Sequence, residues 1–283
     1  MSRLLHLARA VVWLAPAGRA KNGLLRTLGH RVHPDAVARA SLVWKVDALT
    51  LGAGARLGRH NLLRDLREVV VEEGASIGRM NVITAHPAFA RNPGSGRLHV
   101  APHGKITSRH SIDCSAAVTI GAYSSIAGRS STLMTHSVDL AIDAQRALPI
   151  TIGERSFVGT HAVVLGGASL PARSVLGAGG LLLPGLPDDK PGGLFAGVPA
   201  RRRADVTGRW FERTGTHTRR IVRVSVRGDE TVASFCRGGP RAPGRADRRA
   251  SPPDRTAGPL GRVSHGSRPR RTADPARAVT RPP

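Results

Sequence analysis

Aliphatic residues recur at every sixth position through the middle of the chain. The pattern forms six sets of three, with insertions after the second and fourth sets. The sets are Leu51, Leu57, Leu63; Val71, Ile77, Ile83; Val100, Ile106, Ile112; Ile120, Ile126, Thr132; Ile152, Val158, Val164; and Leu170, Leu176, Leu182. A Gly or another small residue usually follows each aliphatic position, and only Thr132 departs from the aliphatic rule.

A period of six predicts an all-β fold built as a parallel β-helix. Each hexad gives one short strand and one sharp corner, and three hexads close a triangular coil whose interior holds the aliphatic side chains. Stacked coils satisfy one another's backbone hydrogen bonds. A β-sandwich would instead show alternation with period two. We therefore expect about six coils, beginning at residues 51, 71, 100, 120, 152 and 170.

The segments outside the repeat suggest a cap at one end and a tail at the other. Residues 1–45 are predicted to form helical segments with a partial starting coil at 32–36, and residues 46–205 form the β-helix domain. Residues 206–225 are expected to pack against the coils through Trp210 and Phe211. Residues 226–283 are rich in Arg and Pro and poor in aliphatic runs, a composition typical of disorder.

The formal charge of +24 does not by itself predict a nucleic-acid partner. Residues 201–283 hold 21 Arg against 7 acidic residues, so more than half of the excess lies in this last third. Aromatic residues make up 3% of the chain, and no aromatic interleaving or RNA-binding motif accompanies the basic residues. We expect no nucleic-acid partner.

Cysteine usage and the N-terminus bear on the compartment. A disulfide between Cys114 in the repeat and Cys236 in the predicted tail is not expected, which favours a reducing cytoplasm. The N-terminal apolar run, residues 10–17, is interrupted by Pro16 and is shorter than the roughly 20 residues of a membrane span. We predict an amphipathic helix packed on the domain and no transmembrane segment.

Two stretches resemble a known family. The run VGTHAVVLGGASLPARSVLGAGGLLLPGLPDDKPGGLFAGVPAR and the segment TLMTHSVDL resemble the hexapeptide-repeat acyltransferases, of the maltose and galactoside O-acetyltransferase type and its polysaccharide-modifying relatives. The resemblance covers residues 50–203. It implies a left-handed β-helix, acetyl-CoA as acyl donor, a sugar or glycan acceptor, direct transfer without an acyl-enzyme, and a homotrimer with sites between subunits.

The resemblance makes His136 the general base that takes the proton of the acceptor hydroxyl. His136 follows the fourth set, where the chain leaves the coils for a long excursion. Imidazole suits this role because its unperturbed pKa is about 6.5. Asp113, one coil earlier and in line with Leu133, and Asp139, three residues after His136, are candidates to orient the imidazole or hold the acceptor. The excursion at residues 85–99 is expected to form an acceptor cleft or a subunit contact.

The same resemblance gives three expected contacts with coenzyme A. Thr160, in VGTH, and Ala178, in LGAGG, match pantetheine-contacting positions, and Arg201, after GVPA, matches a phosphate contact. A guanidinium fork suits phosphate oxygens. The chain departs from the family at Leu183-Pro184, where relatives usually have a Thr-Lys pair. This departure removes one expected cationic contact.

Three other functions fit the repeat. An amino-sugar N-acetyltransferase of the same fold would use the same base. A γ-carbonic-anhydrase-like enzyme would need three His ligands around an open zinc position, and the histidine spacings here do not match that set. We therefore predict no metal site. A non-catalytic β-helix scaffold would tolerate the loss of His136.

Overall fold

A computed structural model describes residues 3–185 and 189–215 in full and the backbone of residues 220–224 and 230–234. Within this range there are two α-helices, α1 (Arg3–Leu14) and α2 (Arg19–Thr27). Two short 3₁₀ helices cover Pro87–Phe89 and Arg209–Glu212. Most of the remaining described chain consists of short strands. The predicted tail from residue 226 lies outside the described residues except for one strand.

The strands follow one another closely along the chain. They are β1 (Arg31–Val32), β2 (Val37–Ala38), β3 (Leu42–Leu51), β4 (Arg56–Leu57), β5 (Leu62–Val71), β6 (Ser76–Ile77), β7 (Val82–Thr84), β8 (Arg97–Val100), β9 (Lys105–Ile106), β10 (Ser111–Asp113), β11 (Val118–Ile120), β12 (Ser125–Ile126) and β13 (Thr132–Met134). They continue as β14 (His136–Asp139), β15 (Ala144–Ala147), β16 (Ile150–Ile152), β17 (Phe157–Val158), β18 (Val163–Leu165), β19 (Ser169–Leu170), β20 (Val175–Leu176), β21 (Leu181–Leu182), β22 (Gly193–Ala196), β23 (Arg201–Asp205), β24 (Arg220–Val224) and β25 (Glu230–Ser234).

The described strands form three parallel series that the chain visits in turn. The first series contains β1, the second halves of β3 and β5, and β8, β11, β16 and β19. The second contains β2, β4, β6, β9, β12, β17, β20 and β22, and the third contains the first halves of β3 and β5 with β7, β10, β13, β18 and β21. Strands β3 and β5 serve two series because they bend at Lys45 and Asp65, where φ is 50° and 58°.

The interior of the three series is the aliphatic set predicted from the period of six, with one correction. The aliphatic members of the six sets are each at most 1% exposed. Thr132 is not an interior residue: Leu133 is fully buried and pairs with Ile112, whereas Thr132 pairs with Ser111. The step from Ile126 to Leu133 is seven residues instead of six. The corner between them holds one extra residue, so the aliphatic rule has no exception here.

A further turn of the chain precedes the first predicted set. Val32 pairs with Leu51, Ala38 with Leu57 and Val43 with Leu63. Their side chains are at most 2% exposed. The partial starting coil expected at residues 32–36 therefore extends to Val43 and supplies a strand to each series.

The N-terminal helices cover the start of the interior. Trp13 and Leu25 are fully buried, and Arg9 donates from Nε to the carbonyl of Leu28 over 2.8 Å and from Nη1 to Val46 over 3.2 Å. Burial lowers the pKa of Arg9, partly offset by attraction to Asp47. The helices are therefore tied to the first strands by a buried guanidinium as well as by apolar packing.

Close stacking explains the glycines at the corners. A Cβ built on Gly78 would lie 2.0 Å from the carbonyl oxygen of Thr107 in the next turn of the chain. Real Cβ atoms do not approach so closely, and the atom it meets is backbone that cannot move aside. Gly78 is therefore required by the spacing between successive turns.

At the other end of the coils the chain reverses. Strand β23 pairs antiparallel with β22, the last strand of the second series. The following 3₁₀ helix buries Phe211, and Arg155 donates from Nη1 to the carbonyls of Phe211, over 2.7 Å, and Arg213, over 3.0 Å. Trp210 lies 5.5 Å from the ring of Phe157. Trp210 and Phe211 therefore contact residues of the coils or lie buried near them.

Candidate active site

Both long excursions leave the coils at the same corner. The segment with the first 3₁₀ helix, Pro87–Phe89, follows β7, and the hairpin of β14 and β15 follows β13; both lead from the third series back to the first. Strands β7 and β13 flank β10 in the sheet. The two excursions therefore emerge two turns of the chain apart on one edge of the molecule. This edge holds the candidate site.

His136 and Asp113 form a hydrogen-bonded pair at this edge. The Nδ1 atom of His136 lies 3.0 Å from Oδ2 of Asp113, and the two side chains are 31% and 9% exposed. The carboxylate is an acceptor, so the geometry places the ring proton on Nδ1 and leaves Nε2 with its lone pair. A half-buried imidazole in this state has one nitrogen fixed and one able to accept a proton.

Several further donors hold the Asp113 carboxylate. Its Oδ1 accepts from Oγ of Ser115 over 2.6 Å, and its Oδ2 accepts from the backbone N–H of Thr135 over 3.0 Å, from that of His136 over 3.1 Å and from the Thr135 hydroxyl. Burial acts to raise the pKa of Asp113, but the hydrogen bonds from Ser115, Thr135 and His136, with the attraction of His136, outweigh it and leave this pKa below 3.8. Asp113 is therefore ionised at neutral pH.

The register that brings Asp113 to His136 differs by one residue from the sequence prediction. Ile112, not Asp113, is the partner of Leu133. Asp113 lies one step further along its strand, beyond the residues paired with β13 and beside the start of the excursion. The difference arises from the extra corner residue before Leu133, and it is what lets the carboxylate accept from the backbone of Thr135 and His136.

Two aromatic rings from the first excursion lie over His136. The rings of His86 and Phe89 each have their centroids 5.8 Å from that of His136. The backbone N–H of His86 donates to Oγ of Ser115 over 2.9 Å, so the excursion is fastened to the same hydroxyl that bonds Asp113. The sequence interpretation named this excursion but not these residues. Both insertions follow the third member of a set, which is the signal that they share a corner.

Asp139 lies elsewhere on the hairpin. Its Oδ2 is 2.9 Å from Nη2 of Arg146 on the facing strand, and its Oδ1 accepts from the backbone N–H of Ala141 over 3.2 Å. Of the two acids expected to assist, the structure brings Asp113 to His136 and gives Asp139 a different partner.

Thr160 and Ala178 lie together at another corner. Both follow strands of the second series, and the N–H of Gly179, next to Ala178, donates to the carbonyl of Thr160 over 2.9 Å. The Thr160 hydroxyl donates to the carbonyl of Arg129 over 2.9 Å. This corner joins the second series to the third, whereas His136 follows the third series. One chain therefore places these two residues and His136 at different corners.

Arg201 begins β23 at the far end of the coils. Its side chain is exposed, and Nη1 donates over 3.2 Å to the carbonyl of the neighbouring Ala200. The adjacent Arg202 pairs with Asp205 at 2.5 Å. Arg201 thus presents a guanidinium to solvent at the end of the second series, the series that precedes the corner of Thr160 and Ala178.

The described residues contain no group of three or more His, Cys, Asp or Glu side chains arranged to share a metal ion. In the same part of the chain no helix has the length and apolar character needed to cross a membrane.

Comparison with known proteins gives structural neighbours only. Neither a protein-family model nor a curated protein matches the chain. Among solved structures, it is similar to a polysialic acid O-acetyltransferase, with 14% identity over 64% of this chain and 87% of that one and a TM-score of 0.48. It is also similar to a hexapeptide-repeat acetyltransferase from Vibrio cholerae O1 biovar eltor in complex with acetyl coenzyme A. The identity is 19% over 72% of this chain and 88% of that one, with a TM-score of 0.37. A third similar structure is a maltose O-acetyltransferase from Clostridium difficile 630, with 11% identity over 73% of this chain and 90% of that one and a TM-score of 0.32.

Proposed function

We propose that this chain is an O-acetyltransferase that moves the acetyl group of acetyl-CoA to a hydroxyl of a sugar or glycan precursor, with His136 as general base. The observation that carries the proposal is the 3.0 Å contact between Nδ1 of His136 and the ionised Asp113. This contact fixes the ring and its tautomer, so that Nε2 can accept a proton. A carboxylate bonded to one nitrogen of an imidazole orients the ring and stabilises its protonated form, which supports general-base catalysis.

The transfer follows in one addition and one elimination. Nε2 of His136 takes the acceptor hydroxyl proton while the oxygen attacks the thioester carbonyl. The resulting tetrahedral oxyanion is stabilised by backbone N–H groups of the following coil. The C–S bond then breaks, and the coenzyme A thiolate recovers the proton from the imidazolium. Asp113 stabilises the imidazolium between these steps, and no acyl-enzyme forms.

The donor site is proposed at the corner of Thr160 and Ala178. The pantetheine arm would run along these two residues, and Arg201 would bind a coenzyme phosphate at the end of the coils. The exposure of Arg201 and the stacking of Ala178 on Thr160 in successive turns support this assignment. We also propose that the coils wind in the left-handed sense, as the sequence resemblance implies.

We propose that the site is completed by a second copy of the chain in a homotrimer. Thr160 and Ala178 lie at a different corner from His136, so donor and base can meet only if neighbouring copies bring these corners together. The outward side of the third series is apolar at Leu42, Leu62 and Val82, which pair in register. Leu140, at the tip of the hairpin, is 89% exposed. Apolar surfaces of this kind mark protein contacts.

Release of coenzyme A from acetyl-CoA in the presence of a panel of acceptors tests the proposed function. The panel contains neutral sugars, acidic oligosaccharides and amino sugars, and mass spectrometry of the products identifies the acetylated atom. We expect an acetyl ester on a glycan. Acetylation of an amine alone would make the chain an N-acetyltransferase. No transfer to any acceptor, or stoichiometric zinc in the purified protein, would contradict the proposal.

A further inference from the structure

Four exposed arginines occupy consecutive turns of the chain at one corner. Arg59, Arg79, Arg109 and Arg129 all lie between a strand of the second series and one of the third. Backbone bonds link them in order: the carbonyls of Arg59, Arg79 and Arg109 accept from the N–H groups of Met80, Arg109 and Ser130. Parallel strands lie about 4.8 Å apart, so the four arginines, one in each turn, form a row along this corner. Arg59 and Arg79 occupy equivalent positions, whereas Arg109 lies one residue further on, in register with Met80. We name this row the arginine ridge.

The charges of the arginine ridge are not neutralised within the described chain. None of the four side chains takes part in a salt bridge or hydrogen bond there, although other exposed arginines, such as Arg97 and Arg146, pair with carboxylates. The corner segments at residues 58–62, 78–82, 107–111 and 127–132 contain no Asp or Glu. Like charges in a row repel one another, so the ridge is an electrostatic cost unless an anion binds it.

A buried ladder of polar side chains holds the ridge in place from below. Asn61, Asn81, His110 and Ser131 are each at most 2% exposed. Oδ1 of Asn61 accepts from the N–H of Asn81 over 2.9 Å, Oδ1 of Asn81 from that of His110 over 2.9 Å, and Nδ1 of His110 from that of Ser131 over 3.1 Å. The ladder fixes the backbone that carries the arginines. The ridge is therefore a built array on a rigid support.

The ridge ends at the proposed donor position. Thr160 donates to the carbonyl of Arg129 over 2.9 Å, and the N–H of Arg129 donates back to the Thr160 hydroxyl over 3.2 Å. Thr160 continues the same corner in the next turn of the chain. A linear ligand lying on the ridge would therefore have one end beside the proposed pantetheine position.

We propose that the arginine ridge binds an acidic glycan, a linear saccharide with carboxylates at regular intervals, and guides it to the transfer site. This inference rests on the proposed function and names the substrate class of the same site. A row of guanidiniums on successive turns suits carboxylates repeated along a polymer, because each fork can bind one carboxylate through two hydrogen bonds.

Nucleic acid is the competing polyanion, and the ridge fits it poorly. Sites for single-stranded nucleic acids combine basic residues with aromatic side chains on which the bases stack. The four corner segments contain Met80, Ser108 and Ser130 and two histidines beside the ridge arginines, but no Phe, Tyr or Trp. Saccharides need no such stacking platform.

Binding of a labelled oligogalacturonate to the full-length chain, followed by fluorescence anisotropy, tests this inference. The ridge variant is Arg59→Gln/Arg79→Gln/Arg109→Gln, which leaves Arg129 beside Thr160 unchanged. The matched control is Arg3→Gln/Arg19→Gln/Arg31→Gln, three exposed arginines away from this corner. Both variants lose the same charge and retain the Arg-rich C-terminal segment. Circular dichroism verifies that both are folded.

We expect the ridge variant to bind about tenfold more weakly than the wild type and the control, since each exposed charge contact contributes modestly. Its KM for acetyl-CoA should stay unchanged, and the wild type should bind the carboxyl-reduced polymer weakly. Equal losses in both variants, a raised KM for acetyl-CoA, or a larger loss for single-stranded DNA than for oligogalacturonate would overturn the inference. Ridge-dependent binding without acetyl transfer would leave it standing and contradict the proposed function alone.

Discussion

In the structure Asp113, and not Asp139, is hydrogen-bonded to His136. Ser115, Thr135 and His136 all donate to the Asp113 carboxylate, whereas Asp139 pairs with Arg146 on the hairpin. Sequence reasoning proposed both acids because either lies close to His136 along the chain or across the coils. It did not find Ser115, because a serine beside an aspartate has no distinctive spacing and its role depends on backbone geometry.

Replacing Asp113 tests its role as a positioning residue. Asp113→Asn keeps the shape but removes the charge that fixes Nδ1–H. We expect kcat to fall about tenfold or more, but by less than the roughly 10²–10⁴ that loss of the general base itself would cost. Its KM for acetyl-CoA should change little, and the pH profile of kcat should shift. The comparison is Asp139→Asn. A larger loss of kcat from Asp139→Asn than from Asp113→Asn would show that the wrong acid was assigned.

At the scale of the elements, the period of six predicted the interior but not the corners. The aliphatic positions were identified because each strand has one inward side chain with the same neighbours in every turn. The extra residue between Ile126 and Leu133 was invisible, since Thr132 preserves the spacing. The buried ladder beneath the arginine ridge was also missed. Asn and Ser are common in loops and turns in general. Only the register of the strands shows that the polar side chains of successive corners bond to the next turn.

His110 in this ladder makes the fold sensitive to acid. Burial lowers the pKa of His110 to about 4. The folded state therefore holds a neutral ring, which is also the form that accepts the hydrogen bond from the N–H of Ser131 at Nδ1. The contribution of the neutral His110 ring to the free energy of unfolding is fully present above the unfolded-state pKa of about 6.5. This contribution is lost as the pH falls toward 4. At pH 5 the loss is about 2 kcal/mol.

Urea denaturation at pH 7 and pH 5 measures this effect. His110→Gln keeps an acceptor for Ser131 but cannot be protonated, so it should lose about 2 kcal/mol less between the two pH values than the wild type. His30, whose pKa burial also lowers to about 4, stays in both proteins and acts as an internal reference. Identical pH dependence in wild type and variant would show that His110 is not the group responsible.

For the whole molecule, the separation of corners predicts a shared active site. His136 lies after the third strand series and Thr160 and Ala178 after the second, so within one chain the proposed base and the proposed donor position lie at different corners. The sequence placed each of these residues by motif without locating it at a corner. Assigning each residue to a corner requires knowledge of how strands from different turns pair, and this pairing depends on the lengths of the insertions.

Mixing two inactive variants tests the shared site. His136→Ala removes the base, and Ala178→Trp blocks the proposed pantetheine position at an exposed corner. If each site combines residues of two copies, unfolding and refolding the two variants together should restore a fraction of wild-type activity in a mixed trimer. Activity that stays at the level of the separate variants, although mixed trimers are detected by mass, would place the whole site in one chain.

The most direct test of the central claim is the rate of coenzyme A release by His136→Ala with the acceptor that the panel identifies. Removal of a general base should reduce kcat by about 10² or more. His33→Ala, an exposed histidine that pairs with Asp35 in the cap, is the matched control and should keep the wild-type rate. A His136→Ala enzyme that is folded and transfers acetyl groups at the wild-type rate would contradict the account.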